Sequence, residues 1–204
     1  MDLCTITPVP LCFYNRQAVQ VARDLLGRLL VRQARGGLTV GRIVEAEAYL
    51  ACGDPACHSA RGQTRKNLSM FGPPGRAYVY PIHARWCFNV VSEPKRVASA
   101  VLVRAVEPLE GVSLMQRRRR VDKLTDLARG PARLCEAFQI DRRLDSWNLG
   151  RGRRLWIAAD HQPEVREADI GCSPRIGVTS GHDLPLRFYL RGNPYVSGPK
   201  RWCV

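Results

Sequence analysis

The feature that most constrains the fold is an unbroken strand pattern over residues 38–49. Glu45, Glu47 and Tyr49 point to one face, whereas the other face carries small apolar residues. The Cα atoms of the two glutamates are then about 7 Å apart. Because carboxylates are costly to bury, the pattern alone slightly favours a solvated face with ordinary surface glutamates. The apolar opposite face and the ring beside Glu47 argue instead for a potential general base next to an aromatic plane.

The remaining pattern combines short strands with scattered helices. Further strands are predicted over residues 28–33, 78–82, 86–91, 101–106, 176–178 and 186–190. One helix is predicted from an N-cap at Asn15 to about Leu26, where Gly27 ends it. Two more are predicted over 108–118 and 131–138, each with proline in its first turn. We therefore expect an α+β fold, a single domain over residues 1–204 with helices around a mostly antiparallel, curved sheet.

The strands over 78–82 and 86–91 are close enough in sequence to form a β-hairpin. Its tip would consist of His83, Ala84 and Arg85. Pro81 has no backbone N–H to donate to a neighbouring strand, so this arm is expected to be an edge or protruding strand. The polar segment 54–70 before it is expected to be a loop.

The net charge indicates a polyanionic partner. The chain has 32 basic and 18 acidic residues, which gives a formal net charge of +14. Arginine dominates, and its guanidinium group forks onto phosphate. A general preference for arginine across a proteome would give the same total, but the charges also cluster, which favours nucleic acid. The clusters are residues 117–120, residues 142–143, and Arg151, Arg153 and Arg154.

The eight cysteines do not suggest a metal site, because no two of them have CxxC spacing. Cys52, Cys57 and His58 lie close together, but no second ligand pair follows at a spacing typical of zinc. Reduced thiols in a cytoplasmic protein are favoured, and no metal or cofactor is expected. No apolar stretch is long enough to span a membrane and the first residues do not form a secretory signal, so no membrane partner is expected.

Several blocks in a fixed order give a more specific signal than any one motif. They are GRIVEAEAY (41–49), ACHS (56–59), MFGPPG (70–75), YVY (78–80), CFN (87–89), VRAVEPLE (103–110), GPARLC (130–135) and RFYLRGNP (187–194). With them, from about Leu11 to Ser197, the chain resembles the alkyladenine (methylpurine) DNA glycosylase family. The resemblance implies an enzyme of base excision repair that works as a monomer, without cofactor, on double-stranded DNA containing damaged purines. A cytoplasmic, nucleoid-associated location of a bacterial type is expected.

The resemblance also implies the catalytic residues. Glu47 matches the general base that activates the attacking water, and Arg104 matches the arginine that helps to hold that water. The backbone carbonyl of Ile176 falls where the family supplies another contact to the water. A purine alkylated at a ring nitrogen is cationic and a good leaving group, so water and a base can suffice. No lysine lies at the matched pocket positions, so strand cleavage through a Schiff base is not expected.

The base pocket and the DNA contacts follow from the same resemblance. The pocket walls match Tyr49, His58 and Tyr80, although single tyrosines and histidines are more often packing residues or bystanders. Asn89 matches the residue that crowds the amino group of normal guanine. The candidate phosphate contacts are Arg61, Thr64, Arg65 and the helix start at Gly130.

One position departs from the family pattern. The hairpin tip usually carries a tyrosine that fills the gap left by the flipped base, and here that position is His83. His83 is expected to contact DNA as a smaller wedge, unless it only decorates a solvated turn while Ile82 or Arg85 inserts.

The sequence is compatible with two other classes of function. A non-catalytic nucleic-acid-binding module on the same scaffold fits the charge, but it has no need of a carboxylate that faces DNA. A carbohydrate hydrolase would need two carboxylates that flank a sugar, and Glu45 and Glu47 are too close together along one strand for that.

Overall fold

The computed structural model describes residues 6–159 and 165–199. Cys4 and Cys203 lie outside the described residues, and the six described cysteines are free thiols. None of the described helices is long and apolar enough to cross a membrane.

Within these described residues, eight strands form one antiparallel sheet, with three α-helices and several short 3-10 turns around it. The strands are β1 (Leu29–Ala34), β2 (Gly37–Tyr49), β3 (Ala77–Ile82), β4 (Arg85–Ser92), β5 (Ser99–Glu110), β6 (Leu155–Ala158), β7 (Ile170–Ser173) and β8 (Arg187–Leu190). The helices are α1 (Ala18–Leu25), α2 (Val112–Arg119) and α3 (Pro131–Ala137). The main path through the sheet is β3-β4-β5-β2-β1-β6, and β8 joins it by pairing with β2 and β7. The predicted α+β class with a mostly antiparallel sheet is confirmed.

Strand β2 is the centre of this sheet and has neighbours along its whole length. Its first half lies between β1 and β5, and its second half lies between β8 and β5. Helix α1 packs on β2 and β5 through an apolar stripe in which Val21, Ala22 and Leu25 are fully buried. The alternative of a solvated face with ordinary surface glutamates is therefore excluded, because Glu45 and Glu47 are fully buried.

A local irregularity sets the position of the polar side chains on β2. The register between β2 and β5 shifts on either side of Glu45, so that Val44 on β2 and Arg104 on β5 have no Cα partner. Such bulges bend a strand and redirect a side chain. The bulge brings the side chain of Arg104 to the face that carries the two glutamates of β2.

One predicted helix starts too early, and one predicted strand is absent. The helix predicted over 108–118 begins only at Val112, because β5 continues through Pro108 to Glu110. Pro108 is tolerated there because β4 pairs with β5 only at its other end, over 99–102, so the missing N–H interrupts no ladder on that edge. The strand predicted over 176–178 is a loop, since side chains of the polar cluster occupy the backbone groups of Ile176.

Other boundaries differ less. Helix α1 begins at Ala18 after a Gln17 N-cap without a side-chain cap hydrogen bond, so the prediction of Asn15 as the cap is wrong. Asn15 belongs instead to the turn after a 3-10 segment, where its N–H donates to the carbonyl of Cys12. Strands β6 and β7 were not predicted.

The β3–β4 pair is the predicted hairpin, and β3 is the edge strand that Pro81 required. Its loop is shorter than predicted, since Ile82 already pairs with Arg85. Only His83 and Ala84 form the connection, with φ values of 46° and 61°. Two successive positive φ values are typical of a type I′ hairpin turn.

Candidate active site

The Glu47 carboxylate is fully buried at the centre of a polar cluster. Its Oε1 accepts a hydrogen bond from the backbone N–H of Ile176 at 2.8 Å and lies 3.1 Å from Nη1 of Arg104. Its Oε2 accepts from the hydroxyl of Tyr49 at 3.0 Å. Three donors from three separate segments therefore fix both carboxylate oxygens in one orientation.

Glu45, also fully buried, has a different environment. Its Oε1 accepts from Nε of Arg104 at 2.9 Å, Nε of Arg187 at 2.7 Å and Oγ of Ser197 at 2.9 Å. Its Oε2 accepts from the backbone N–H of Ser197 at 2.7 Å. Two guanidinium groups and a serine thus engage Glu45, which makes it an internal anchor for β5, β8 and the segment after β8.

Arg104 links the two glutamates. Its Nη1 also lies 3.4 Å from the carbonyl of Ile176. Burial opposes the charged form of this side chain, but the carboxylates of Glu47 and Glu45 outweigh that effect and raise the pKa of Arg104. Arg104 therefore stays a fixed positive charge beside the Glu47 carboxylate.

Tyr49 lies between this polar cluster and a cavity. Burial and then the neighbouring Glu47 raise the pKa of Tyr49 well above its usual value, so its hydroxyl is a donor to Glu47. The guanidinium of Arg175 lies 4.5 Å from the centre of the Tyr49 ring and forms a buried two-bond pair with Asp54, at 2.6 Å for each bond. Arg175 thereby fixes both the ring and the start of the loop after β2.

The tyrosine ring lines a cavity of about 640 Å³. His58 and Tyr80 form further walls, with ring centroids 4.5 Å apart and planes at 71°. Nδ1 of His58 lies 2.7 Å from the hydroxyl of Tyr78, which holds the imidazole in place. Burial and then the charge of Arg61 lower the pKa of His58. A neutral imidazole and two phenol rings make a surface suited to a flat or cationic ligand.

Asn89 lies deeper, on β4. It is buried and lines a narrow extension of the cavity with Tyr49, His58 and Tyr80. Its Nδ2 donates to the carbonyl of Tyr78 at 3.1 Å, across the hairpin ladder. The predicted pocket residues are therefore brought together by strands β2, β3 and β4 and by the 3-10 segment that begins at His58.

The loop that carries the predicted phosphate contacts is organised by a buried residue, Asn67. Its Oδ1 accepts from the backbone N–H and hydroxyl of Thr64, and its Nδ2 donates to the carbonyls of His58 and Gly62. Arg61 and Thr64 line the cavity, whereas Arg65 is exposed and does not line it. The loop thus presents two of its three predicted contact residues to the cavity.

The other two predicted DNA contacts lie away from the cavity lining. His83 is exposed at the hairpin tip, although the neighbouring Pro81 and Ile82 do line the cavity. Gly130 is the N-cap of α3, with φ at +125°, and does not line the cavity.

Sequence reasoning missed several residues of this site. Tyr78, Asn67 and Lys66 all contribute to the cavity wall, and residues 177–180 close it on another side. Tyr78 alternates with Tyr80 on β3 and could have been found from that spacing, whereas the loop residues have no periodic signal because loop geometry places them. The described residues contain no group of three or more histidine, cysteine or acidic side chains that could hold a metal ion.

Comparison with known proteins gives a consistent result. The profile of a protein family described as methylpurine-DNA glycosylase matches residues 12–194. A protein of Methanoculleus marisnigri is 48% identical over 190 residues, which cover 93% of this chain and 98% of that protein. A protein of Carboxydothermus hydrogenoformans is 45% identical with the same coverage, and one of Mesorhizobium japonicum is 48% identical over 88% of this chain and 85% of its own length. All three carry the provisional name 3-methyladenine DNA glycosylase.

Proposed function

This chain belongs to the methylpurine-DNA glycosylase family, and we propose that it removes alkylated or deaminated purines from double-stranded DNA by hydrolysing the N-glycosidic bond. The substrate class comprises 3-methyladenine, 7-methylguanine, hypoxanthine and ethenoadenine. The enzyme acts as a cytoplasmic, nucleoid-associated monomer without a metal or cofactor. Chemistry on a base requires that the base leave the helical stack, and a damaged base unstacks at the lowest cost.

The observation that carries the proposal is the fixed, buried carboxylate of Glu47 directly behind an aromatic cavity wall. A carboxylate oxygen has two lone pairs, so Oε2 can accept a hydrogen bond from water in addition to the one from Tyr49. Glu47 takes a proton from this water while the water oxygen bonds to C1′ of the sugar. The bond from C1′ to the purine nitrogen breaks, and the purine leaves with its electron pair.

The cavity walls suit the leaving group. An alkylated purine carries a positive charge, and aromatic faces attract a cation by about 0.5–2 kcal/mol. The lowered pKa of His58 keeps its imidazole neutral, so the wall does not repel this charge. Asn89, at the narrow end beside Tyr78, excludes the exocyclic amino group of normal guanine by its bulk.

The two alternative functions have less support. A carbohydrate hydrolase needs a second available carboxylate, whereas two arginines and Ser197 occupy that of Glu45. A pure binding module gains nothing from a buried carboxylate at Glu47 that needs the fixed charge of Arg104 beside it.

The test is Glu47→Gln in single-turnover excision assays on duplexes that each carry one lesion. Glutamine keeps the size of the side chain but cannot take a proton, so excision is expected to fall by about 10²–10⁴-fold while lesion-DNA binding is retained. Glu107→Gln, which changes a half-buried glutamate on the neighbouring strand β5, is the matched control.

Normal turnover by Glu47→Gln would refute the assignment of the general base. In the same assay, borohydride is expected to trap no protein–DNA adduct. A trapped adduct would instead indicate an amine nucleophile, for which Lys66 in the cavity wall is the first candidate.

A further inference from the structure

We call the cavity of about 640 Å³ beside Tyr49 the lesion cavity. A second concavity, of about 320 Å³, is rich in arginine and shares no lining residue with it. It lies where the end of β1, the segment after α3 and the turn before β6 meet. We call it the arginine basin and define it by Arg32, Arg35, Arg143, Arg154, Gln139 and Asp141. It therefore holds four guanidinium groups and one carboxylate.

Arg32 forms the floor of the basin. Its side chain is only 8% exposed and donates to the backbone carbonyls of Gln33, Arg154 and Gln139, at distances from 2.7 to 3.4 Å. Within residues 6–159 and 165–199 it forms no ion pair with a carboxylate. Carbonyl oxygens satisfy its N–H groups but do not neutralise its charge, and a buried charge without a counter-charge is unfavourable.

The neighbouring charges add to the lack of a counter-charge at Arg32. Burial and then the charges of Arg154 and Arg118 lower the pKa of Arg32 to about 10, and the opposing effect of Asp141 does not offset them. The carboxylate of Asp141 is engaged by Arg143 through three contacts of 2.6–3.1 Å. The basin's own acidic group is thus already paired, and the excess of positive charge remains.

The rim arginines are available to a ligand. Arg35 and Arg154 are exposed, and neither guanidinium has a hydrogen bond or ion pair in the described part of the chain. The guanidinium of Arg154 lies 4.8 Å from the centre of the Trp147 ring, which holds it at the rim.

We propose that the arginine basin binds a phosphate group. Planar guanidinium groups match the oxygens of a phosphate in paired hydrogen bonds, and an anion would supply the counter-charge that Arg32 lacks. The phosphate could belong to the DNA backbone beside the lesion or to a small free phosphate anion.

The position of the basin favours the DNA backbone. Gln139 and Asp141 also line a groove whose opposite wall is Ala84, Arg85 and Trp86 of the hairpin. The next residue along the chain, Arg142, lines the lesion cavity. A DNA strand that passes the hairpin would therefore continue along this groove into the basin.

The experiment compares two double variants with the same loss of charge. Arg35→Gln with Arg154→Gln removes the rim of the basin. Arg151→Gln with Arg153→Gln is the control, because both arginines are exposed outside the basin and Arg151 also lies over Trp147, at 5.5 Å. Each protein is titrated with an undamaged duplex at several salt concentrations and, separately, with inorganic pyrophosphate by calorimetry.

If the basin holds a backbone phosphate, the negative slope of log affinity against log salt becomes less steep by about 1–2 more in the basin variant than in the control. If it holds a free anion, pyrophosphate binds to the wild type and the control but not to the basin variant, and the duplex titrations of the two variants coincide. Equal behaviour of the two variants in both titrations overturns the proposal.

The test of the basin does not depend on the assignment of Glu47 or on the stability of the double variant. The rate of excision at saturating enzyme is expected to be unchanged in both variants, so a failure of the basin proposal is distinguishable from a failure of Glu47 as the base. Should the basin double variant unfold, the single variant Arg35→Gln repeats both titrations with an exposed side chain that has no described partner.

Discussion

Glu45 and Glu47 are two residues apart on one strand, yet their contacts separate stability from chemistry. Changing Glu45 to glutamine leaves Arg187 and Arg104 without their shared counter-charge. Breaking a buried pair in this way is expected to lower the free energy of unfolding by about 3–5 kcal/mol. Urea denaturation of Glu45→Gln and Glu47→Gln measures the difference, and equal losses in the two variants would contradict the separate roles.

A second prediction at the scale of single residues concerns the pKa of His58. Burial and Arg61 lower this pKa, whereas the unfolded chain keeps a value of about 6.5. As pH falls below about 6.5, the unfolded state therefore binds the proton first. The contribution of His58 to stability is thus fully present above that pH and is lost as pH falls towards the native pKa.

Removing the neighbouring charge tests this cause. Arg61→Gln is expected to raise the pKa of His58 towards its usual value, as measured by NMR titration of the imidazole. Arg65→Gln is the matched control, because Arg65 is exposed in the same loop but is not among the charges that shift His58. An unchanged pKa in Arg61→Gln would mean that burial alone is responsible.

The residue types of the site could be predicted from the sequence, but their burial could not. Glu47, Tyr49 and Arg104 follow from ordered motifs, and the cavity places Tyr49, His58 and Tyr80 together as expected. An alternating strand gives no sign that β8, well over a hundred residues later, will cover the glutamates. Asn67 was missed for a similar reason, since a buried asparagine in a polar loop looks like any other polar residue.

At the scale of elements, local signals predicted well where both partners are close in sequence. The β3–β4 hairpin and helix α3 with its first-turn Pro131 follow from nearby residues. The extension of β5 through Pro108 does not, because it depends on pairing with residues 40–42 of β2, far away in the sequence. Proline predicted a helix start there, and tertiary pairing overrode that local preference.

The hairpin turn allows its stability and its contact with DNA to be tested separately. His83 and Ala84 both have positive φ, a region that costs non-glycine residues about 1–2 kcal/mol each and that asparagine and glycine tolerate better. His83→Asn combined with Ala84→Gly is therefore expected to raise the free energy of unfolding by about 1 kcal/mol. If His83 is the wedge, the same variant flips the base less well, since aromatic stacking is worth about 1–3 kcal/mol per base.

A fluorescent base analogue beside the lesion reports flipping in this experiment. Ala84→Gly alone is the control, because it relaxes the turn and keeps the imidazole. If the double variant flips the base as well as this control, His83 is not the wedge, and Ile82 or Arg85 becomes the inserting residue. Ile82 is 42% exposed and lines the cavity, so it is well placed for that role.

At the scale of the whole molecule, the sheet and the charge have separate tasks. The sheet fixes a small carboxylate cluster at the centre of the chain, where Glu45 and Glu47 are fully buried. Much of the net charge of +14 is carried by surface arginines, many of them in loops and turns. A long-range attraction for DNA can therefore coexist with two buried carboxylates, because buried arginines pair with both of them locally.

This separation gives a prediction for the intact protein. Arginines that contact phosphates release condensed counterions, so affinity for undamaged duplex DNA is expected to fall with a log–log salt slope of about −4 to −7 for a footprint of 4–8 phosphates. Glu47→Gln is expected to keep this slope, because a buried carboxylate paired with Arg104 contributes little to the field outside. Fluorescence anisotropy between 50 and 200 mM salt covers a suitable range, over which affinity drops by about 10³-fold or more at the steep end of these slopes. A slope near zero would show that the arginine surface does not meet the DNA backbone, and a changed slope in Glu47→Gln would show that the carboxylate lies in the path of the phosphates.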